Sequence, residues 1–310
     1  MPILKIASWN IYFSHKFVRK NNSGQFSLTG SQETRANRVA DYITAIDPHV
    51  IGIIECMPID KLEYFRDQYF PGYECVIEGT GKRLNLGMLY WSDDVTVEKV
   101  NFDKEKWTDK LYHNGRESTY KWTRVPLMVK ITHNTSGKEF IVALVHPKSK
   151  KTYDRDPARA RTQALHNRER IVAEGRRLHK LLWEKVEEHG EPFNRFIVMG
   201  DINDGPWFDR YESKVLRSGV ESHIGSVFDP DRVLHSFVDL SNEKGHPTTP
   251  FGGGKQLDHI LYTHDFCHGT TKPKIVASSG KIRDDLVNFD NGSGKSVDSD
   301  HCPVEIQVRV

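Results

Sequence analysis

Short apolar runs that stop abruptly at a carboxylate, amide or imidazole constrain this chain more than any other feature. "KIASW" stops at Asn10, "VIGII" at Glu55, "FIVALV" at His146, and "FIVMG" at Asp201 with Asn203 two positions on. Asp258 stands before "HILYT", and Asp300 and His301 stand before "CPVEIQV". Runs this short and apolar on both faces read as interior strands of a sheet. A carboxylate set against such a strand is costly to bury unless it is paired or bound to a cation. If these ends converge, they gather Asp, Glu, Asn and His at one rim. A cluster rich in oxygen suits a hard divalent cation such as Mg2+ or Mn2+. With amide and imidazole donors around it, such a site is equipped to attack a phosphate ester: the ion polarises a phosphoryl oxygen and the donors hold the growing negative charge.

The rest of the chain supplies a frame of alternating strands and helices. A strand is expected over Ile3–Trp9, a polar loop over 14–31, and a helix over "SQETRANRVADYITAI", ending before Asp47-Pro48. A second buried strand ends at Glu55, and a short helix follows in "PIDKLEYFRDQYF". "YECVIEG", "NLGMLYW" and "VTVEKVNF" read as successive strands, and residues 103–119 as irregular. "RVPLMVKIT" and "EFIVALVH" form a hairpin pattern, and the longest helical pattern runs from Asp156 to His189. A strand at "RFIVMG", a short helix near 207–217, and strands in "RVLHSFVDL", "LDHILYT" and "PVEIQVRV" complete the reading. Many strands with few helices imply a layered α/β sandwich, its sheets packed together and its helices outside. No composition break marks a linker, so residues 1–310 are expected to form one domain.

At 310 residues the chain is long enough to bury a large core without a disulfide or structural metal. Its four cysteines, Cys56, Cys75, Cys267 and Cys302, form no C-x-x-C pair, so spacing alone suggests neither zinc nor a redox pair. A net charge of +2 argues mildly against a protein that binds nucleic acid through its overall field. The opening "MPILKIASWN" lacks the pattern of a signal peptide and no apolar run is long enough to span a bilayer. A cytoplasmic protein without stable membrane insertion is therefore expected.

"SWNIY", "VIGIIE", "VHPKSK", "GDIND", "LDHIL" and "SDHCPV" together resemble the ordered signature segments of the endonuclease/exonuclease/phosphatase superfamily. The likeness extends from Asn10 to His301; each segment is weak alone and their order makes the case. It implies a four-layer α/β/β/α sandwich of two packed, mostly antiparallel sheets flanked by helices, and a magnesium-dependent phosphoesterase. Carried over by position, it implies Glu55 as principal metal ligand, Asn10 beside it and Asp300 near or on the metal. Asp201 would orient or deprotonate the attacking water, and Asn203 and His146 would hold phosphate oxygens. His301 would contact the scissile phosphate while Asp258 accepts its other ring proton. Water would attack in line, with no covalent enzyme intermediate. Asp204 is expected to brace the loop.

Secondary candidates are weaker. Arg124, in "TRVPL", resembles a family Arg-x-Pro element that reaches substrate or braces Glu55. Lys148 and Lys150 follow His146 closely enough to meet a phosphate. Tyr120 and Trp122 are either stacking groups or core. His15, His113, His133, His166, His179, His189, His235 and His268 lack partner spacing and read as surface or loop residues. The basic stretch 148–180 contains only Asp154, Asp156, Glu169 and Glu174 as acids, and reads either as a polyanion groove or as a solvated helix face. The favoured substrate is DNA or RNA; the alternative is a lipid-linked or small phosphate ester, sphingomyelinase-like or inositol-phosphate-like. A non-catalytic scaffold fits poorly with acids, amide and histidines all retained.

Overall fold

In the computed structural model the apolar runs are strands; it describes residues 1–79, 84–101, 107–113, 115–206, 212–215, 217–225, 232–237, 246–249, 255–268, 272–287 and 298–310. In chain order they are β1 (Ile3–Asn10), β2 (Val18–Lys20), β3 (Phe26–Leu28), β4 (Val50–Cys56), β5 (Tyr73–Glu78), β6 (Asn85–Trp91), β7 (Val95–Lys99), β8 (Thr108–His113) and β9 (Arg116–Lys121). There follow β10 (Leu127–His133), β11 (Glu139–Val145), β12 (Phe196–Asp201), β13 (Leu234–Ser236), β14 (Asp258–Thr263), β15 (Lys274–Ile275), β16 (Lys281–Ile282) and β17 (Val304–Arg309). The helices are α1 (Gly30–Ile46), α2 (Ile59–Tyr69), α3 (Pro157–His189), α4 (Glu212–Val215) and α5 (Gly219–Ile224).

Two main sheets carry the fold. One has the order β15-β17-β1-β4-β6-β5, with β16 also paired to β17; the other runs β13-β14-β12-β11-β10-β7. Among the described residues each contains a single parallel pair, β1 with β4 and β11 with β12, and is otherwise antiparallel. A parallel pair needs a crossover. The chain makes the first through the β2–β3 hairpin and α1, and the second through α3. Asp156 caps α3 by accepting from the Arg159 amide, Pro157 opens it, and Gly190 closes it.

Side-chain alternation sorts each strand into two faces. Leu4 and Ile6 of β1, Val50 and Ile54 of β4, Val142 and Leu144 of β11, and Ile197 and Met199 of β12 meet in one core between the sheets. The opposite face of β1 and β4, with Ala7, Trp9, Ile51 and Ile53, packs with Val39 and Ile43 of α1 and Phe65 of α2. The opposite face of β11 and β12, with Ile141, Ala143 and Val198, packs with Leu178, Leu181 and Leu182 of α3. The layers are therefore helix, sheet, sheet, helix, as the sequence patterning implied. Gly52 faces the other sheet at close range: a Cβ there would sit 2.5 Å from Leu144 Cδ1 and 2.9 Å from Met199 Cε.

The differences from the expected elements are local. Residues 14–31, expected as a loop, hold a 3-10 turn at Ser14–Lys16 and the β2–β3 hairpin. Within 103–119, expected as irregular, β8 and β9 form a hairpin of largely exposed polar residues whose register rests on backbone bonds. Its alternation is masked by charge, which is why periodicity misses it. The helix expected near 207–217 is present as α4; residues 207–211 and 216 lie outside the described residues. The strand in "RVLHSFVDL" is β13, and 238–240 lie outside the described residues. Among the described residues no helix is long and apolar enough to cross a membrane.

Candidate active site

The same alternation that fills the inter-sheet core aims polar side chains at its rim. Asn10 continues the Leu4–Ile6 face, His146 the Val142–Leu144 face, Asp201 the Ile197–Met199 face, and Asp258 the Ile260 face. Parallel pairing puts the C-terminal ends of β1 and β4, and of β11 and β12, side by side. Antiparallel β14 begins at the same rim, with Asp258 directly opposite Asp201, and β17 begins opposite Ser8 near the end of β1. The rim thus collects strand ends from all over the chain.

Glu55 has the wrong parity for this face, and a backbone irregularity corrects it. The register between β4 and β6 slips between Ile54 and Cys56, and Glu55 is the extra residue, with φ +58°. Such bulges are a common way of re-aiming a side chain beside an active site. The Glu55 carboxylate then accepts from the Phe13 amide at 3.0 Å, while Ser14 Oγ donates to the Glu55 carbonyl at 2.9 Å. Asn203 also has positive φ, at +59°.

Asp201 is the centre of the hydrogen-bond geometry. Its Oδ2 accepts from Asn10 Nδ2 at 2.9 Å and its Oδ1 from the Asn203 amide at 2.8 Å. His146 Nε2 lies 3.6 Å, and His301 Nε2 3.8 Å, from Oδ2. Nδ1 of His301 is 2.7 Å from Asp258 Oδ2. Burial pushes the Asp201 carboxyl up, with Asp258 adding to this against His301 and the two amide donors. Burial works against a charged His301, but Asp258 and Asp201 outweigh it and raise the imidazole above its ordinary range. His146 goes the other way: burial, with Arg124 and His301 nearby, holds it well below, so it is neutral. Burial also raises Glu55, and neighbouring Asp300 adds to the effect.

The other sequence candidates occupy supporting positions. Arg124 Nη1 donates to the carbonyls of His146 and Pro147, at 2.9 and 3.1 Å. Asn203 Nδ2 donates to the Pro147 carbonyl at 3.3 Å. Lys148 Nζ donates to the Ser149 carbonyl, and Lys150 pairs with Asp204. Asp204 also accepts from the Gly205 and Val220 amides, at 2.8 and 3.2 Å, and so ties the loop after β12 to the start of α5. Asp300 Oδ1 stands 4.0 Å from His301 Nε2. Tyr120 and Trp122 are buried core residues. On α3 the basic residues pair with acids, Arg170 with Glu174, Arg176 with Asp109 and Lys180 with Glu184, which makes that half of the basic stretch a balanced helix face.

Three groups that sequence reasoning passed over shape the site. Glu174 is buried on α3 and accepts from the Lys148 amide at 2.7 Å and from Thr123 at both its amide and hydroxyl. A carboxylate on the apolar face of a helix was the available signal. Asp298 accepts from Arg38 Nε at 2.6 Å and Tyr42 at 3.0 Å, docking the "DSDH" segment on α1. Ser299 Oγ accepts from the His301 amide at 3.1 Å and donates to the Asn10 carbonyl. These latches join residues too distant in sequence for any spacing rule.

The donor set fits a hard ion. Among the described residues Asn10 Oδ1 and Asp300 Oδ1 are buried oxygens with no hydrogen-bond partner, and Asp300 adds to the burial that raises the Glu55 carboxyl. Unsatisfied buried oxygens beside a carboxylate are what a hard divalent ion relieves. Asp201, Asp258 and His301 also lie within 4.8 Å of one another. There, however, the His301–Asp258 hydrogen bond already uses Nδ1, so that trio reads as a carboxylate–imidazole unit.

A four-layer sandwich with this rim defines the class of metal-assisted phosphoester hydrolases. Comparison with known proteins agrees. The Endonuclease/Exonuclease/phosphatase family pattern matches residues 7–301, and the chain belongs to this family of phosphoester-hydrolysing enzymes. A search of curated proteins finds no match. Among solved structures, the human Nocturnin catalytic domain with bound sulfate is 16% identical, covers 99% of this chain and 93% of its own, and has a TM-score of 0.60. D. rerio TDP2 complexed with a single-strand DNA product is 14% identical, with 99% of each chain covered and a TM-score of 0.54. A mannosyl-6-phosphatase of Bacteroides thetaiotaomicron is 16% identical, with 99% of this chain and 100% of that chain covered and a TM-score of 0.50. At these identities the structural likeness speaks for the fold.

Proposed function

We propose that this chain, acting as one domain over residues 1–310, is a Mg2+- or Mn2+-dependent phosphodiesterase that cleaves nucleic acid, with single strands favoured. The observation that carries the substrate class is a pair of exposed aromatic rings at the rim. Tyr12 is 45% exposed and Tyr153 is 72% exposed. Burial, and then the fields of Asp300, Glu55 and Tyr153, raise the Tyr12 hydroxyl, so Tyr12 stands near all three. Lys151 Nζ stands over the Tyr153 ring, 5.5 Å from its centroid. Aromatic faces beside a cation form a platform for bases and backbone without sequence preference. D. rerio TDP2, which shares the fold, was solved with a single-strand DNA product.

In this reading Glu55, Asn10 and Asp300 hold the ion. When bound, it polarises a phosphoryl oxygen and makes water a better nucleophile. Asp201, fixed through both oxygens, orients the water and accepts its proton; a carboxyl raised by burial is suited to that task. Asn203 has one amide proton left after Pro147, and His146 is neutral with one ring N–H; both donate to phosphate oxygens. Asp258 holds His301 Nδ1–H, so Nε2 faces the phosphate. Arg124 and Glu174 set the backbone from His146 to Lys148.

The test is hydrolysis, with Mg2+ and after chelation, of single-stranded DNA, abasic duplex, RNA, sphingomyelin, inositol phosphates and a bis-aryl phosphate. Cleavage of single-stranded nucleic acid that disappears in chelator is expected. Turnover confined to a small or lipid-linked ester overturns the substrate; full activity in chelator overturns the ion.

A further inference from the structure

A second side-chain cluster lies at the far end of β14 from Asp258. Six residues of strand separate the two ends, about 20 Å at the usual rise. His235 on β13 reaches His264, in the 3-10 turn that follows β14, with Nε2 3.0 Å from Nδ1. Nδ1 or Nε2 of each ring and the Cys267 sulfur all lie within 4.8 Å of one another. His268 Nε2 approaches the outer Nε2 of His264 to 2.7 Å. The turn is well anchored: Phe266 is buried in the inter-sheet core, and the Cys267 amide donates to the His264 carbonyl at 2.8 Å. His235 stacks on Tyr262 at 5.8 Å between centroids. His235 and His268, expected as surface or loop residues without partner spacing, each lie against His264.

We propose that His235, His264 and Cys267 form a second cation site, for a borderline-soft transition ion such as Zn2+, separate from the hard-ion rim. Two imidazoles and a thiolate select such an ion over Mg2+. Tetrahedral Zn2+ with bonds of 2.0–2.3 Å sets neighbouring donors about 3.4 Å apart. The His235–His264 separation of 3.0 Å is already close to that, and the sulfur, within 4.8 Å of both nitrogens, needs to close by at most roughly an ångström. Water takes the fourth position. His268, on the unused nitrogen of His264, fixes that ring's tautomer and is a positioning residue. Metal binding removes the Cys267 thiol proton to solvent and leaves the sulfur's oxidation state unchanged. Spacing in the sequence hides the site because one donor comes from β13 and the others from the turn after β14.

The test uses the full chain, reduced, in excess Mg2+. Titration with Co2+ is expected to give one equivalent with a thiolate-to-metal charge-transfer absorption that Zn2+ displaces. Cys267→Ser should abolish that absorption, and His268→Gln should weaken affinity about 10–100-fold. His235→Asn should lose Zn2+ binding while leaving Mg2+-dependent hydrolysis unchanged. In unmutated protein, Zn2+ should slow alkylation of Cys267 and spare that of Cys75, read by mass spectrometry. No thiolate absorption, the same absorption in Cys267→Ser, or equal alkylation of Cys267 with and without Zn2+ overturns the site.

Discussion

His301 and Asp258 are joined by a 2.7 Å contact from Nδ1 to Oδ2 across 43 positions of sequence. Because Asp258 is also the cross-strand partner of Asp201, the ring is set between two carboxylates with its Nε2 turned to the rim. The carboxylate accepts, so Nδ1 carries a proton. An amide in its place can donate instead and reverse the tautomer. Asp258→Asn is therefore expected to lower kcat by about 10²–10⁴-fold with KM nearly unchanged and the thermal midpoint retained. Steady-state kinetics beside a melting curve check this; a kcat within tenfold of the parent removes the assigned role.

Asp201→Asn keeps the shape of the side chain and one acceptor for the Asn203 amide, but it cannot take a proton from water. Turnover should fall by on the order of 10³-fold or more while Mg2+ still binds. Single-turnover measurement at saturating metal separates the two. Unchanged turnover would contradict the assignment.

Tyr12 and Tyr153 test the substrate class without touching the chemistry. Replacing both by Ala should raise KM for a single-stranded oligonucleotide about tenfold or more, at roughly 1–3 kcal/mol per stacked base, and leave hydrolysis of a bis-aryl phosphate near the parent rate. Equal losses on both substrates would mean that the rings serve the fold.

Gly200 has φ +138°, and a Cβ there would sit 2.2 Å from the Val145 carbonyl oxygen. β11 and β12 must approach closely at that point for His146 and Asp201 to meet. Gly200→Ala should cost on the order of 3 kcal/mol, seen as a lower urea midpoint, and reduce activity in the folded fraction. A midpoint equal to the parent's would show that the strand end relaxes freely.

His223 is fully buried against Trp122 and Gly219, and burial lowers its imidazole from 6.5 to about 4. The folded state prefers the neutral ring, so its contribution is complete above the unfolded value and is lost as pH falls from about 6.5 towards about 4. Between about pH 7.5 and about pH 5 the parent should lose roughly 2 kcal/mol more stability than His223→Gln. Parallel losses in urea unfolding would refute the shift.

Much of the rim was legible before any fold, and for a physical reason. An acid, amide or imidazole at the end of a doubly buried strand is conspicuous because burial without a partner is so unfavourable. Glu55 shows the limit. Its place after "VIGII" marked it, but strict alternation points it toward α1; only the bulge at Ile54/Cys56 turns it to the rim. Asp298 and Ser299 were not legible as site residues, and Glu174 only as a carboxylate on an apolar helix face, since each acts on backbone or side chains far away in sequence. The β8–β9 hairpin was missed because only Leu111 and Tyr120, which pack against Val172 and Ala173 of α3, interrupt its polar and charged residues.

The chain's own order of residues determined which strands are buried, where each stops, and which polar group stands at each stop. Those follow from local patterning, and patterning is a property of neighbours in sequence. Tertiary structure decided that the stops coincide: one parallel pair in each sheet, made possible by the crossovers through α1 and α3, brings Asn10, Glu55, His146 and Asp201 to a common rim. It likewise decided that His235 meets His264 and Cys267. Strand pairing is a long-range choice, made by the packing of whole faces, and no window of sequence contains it.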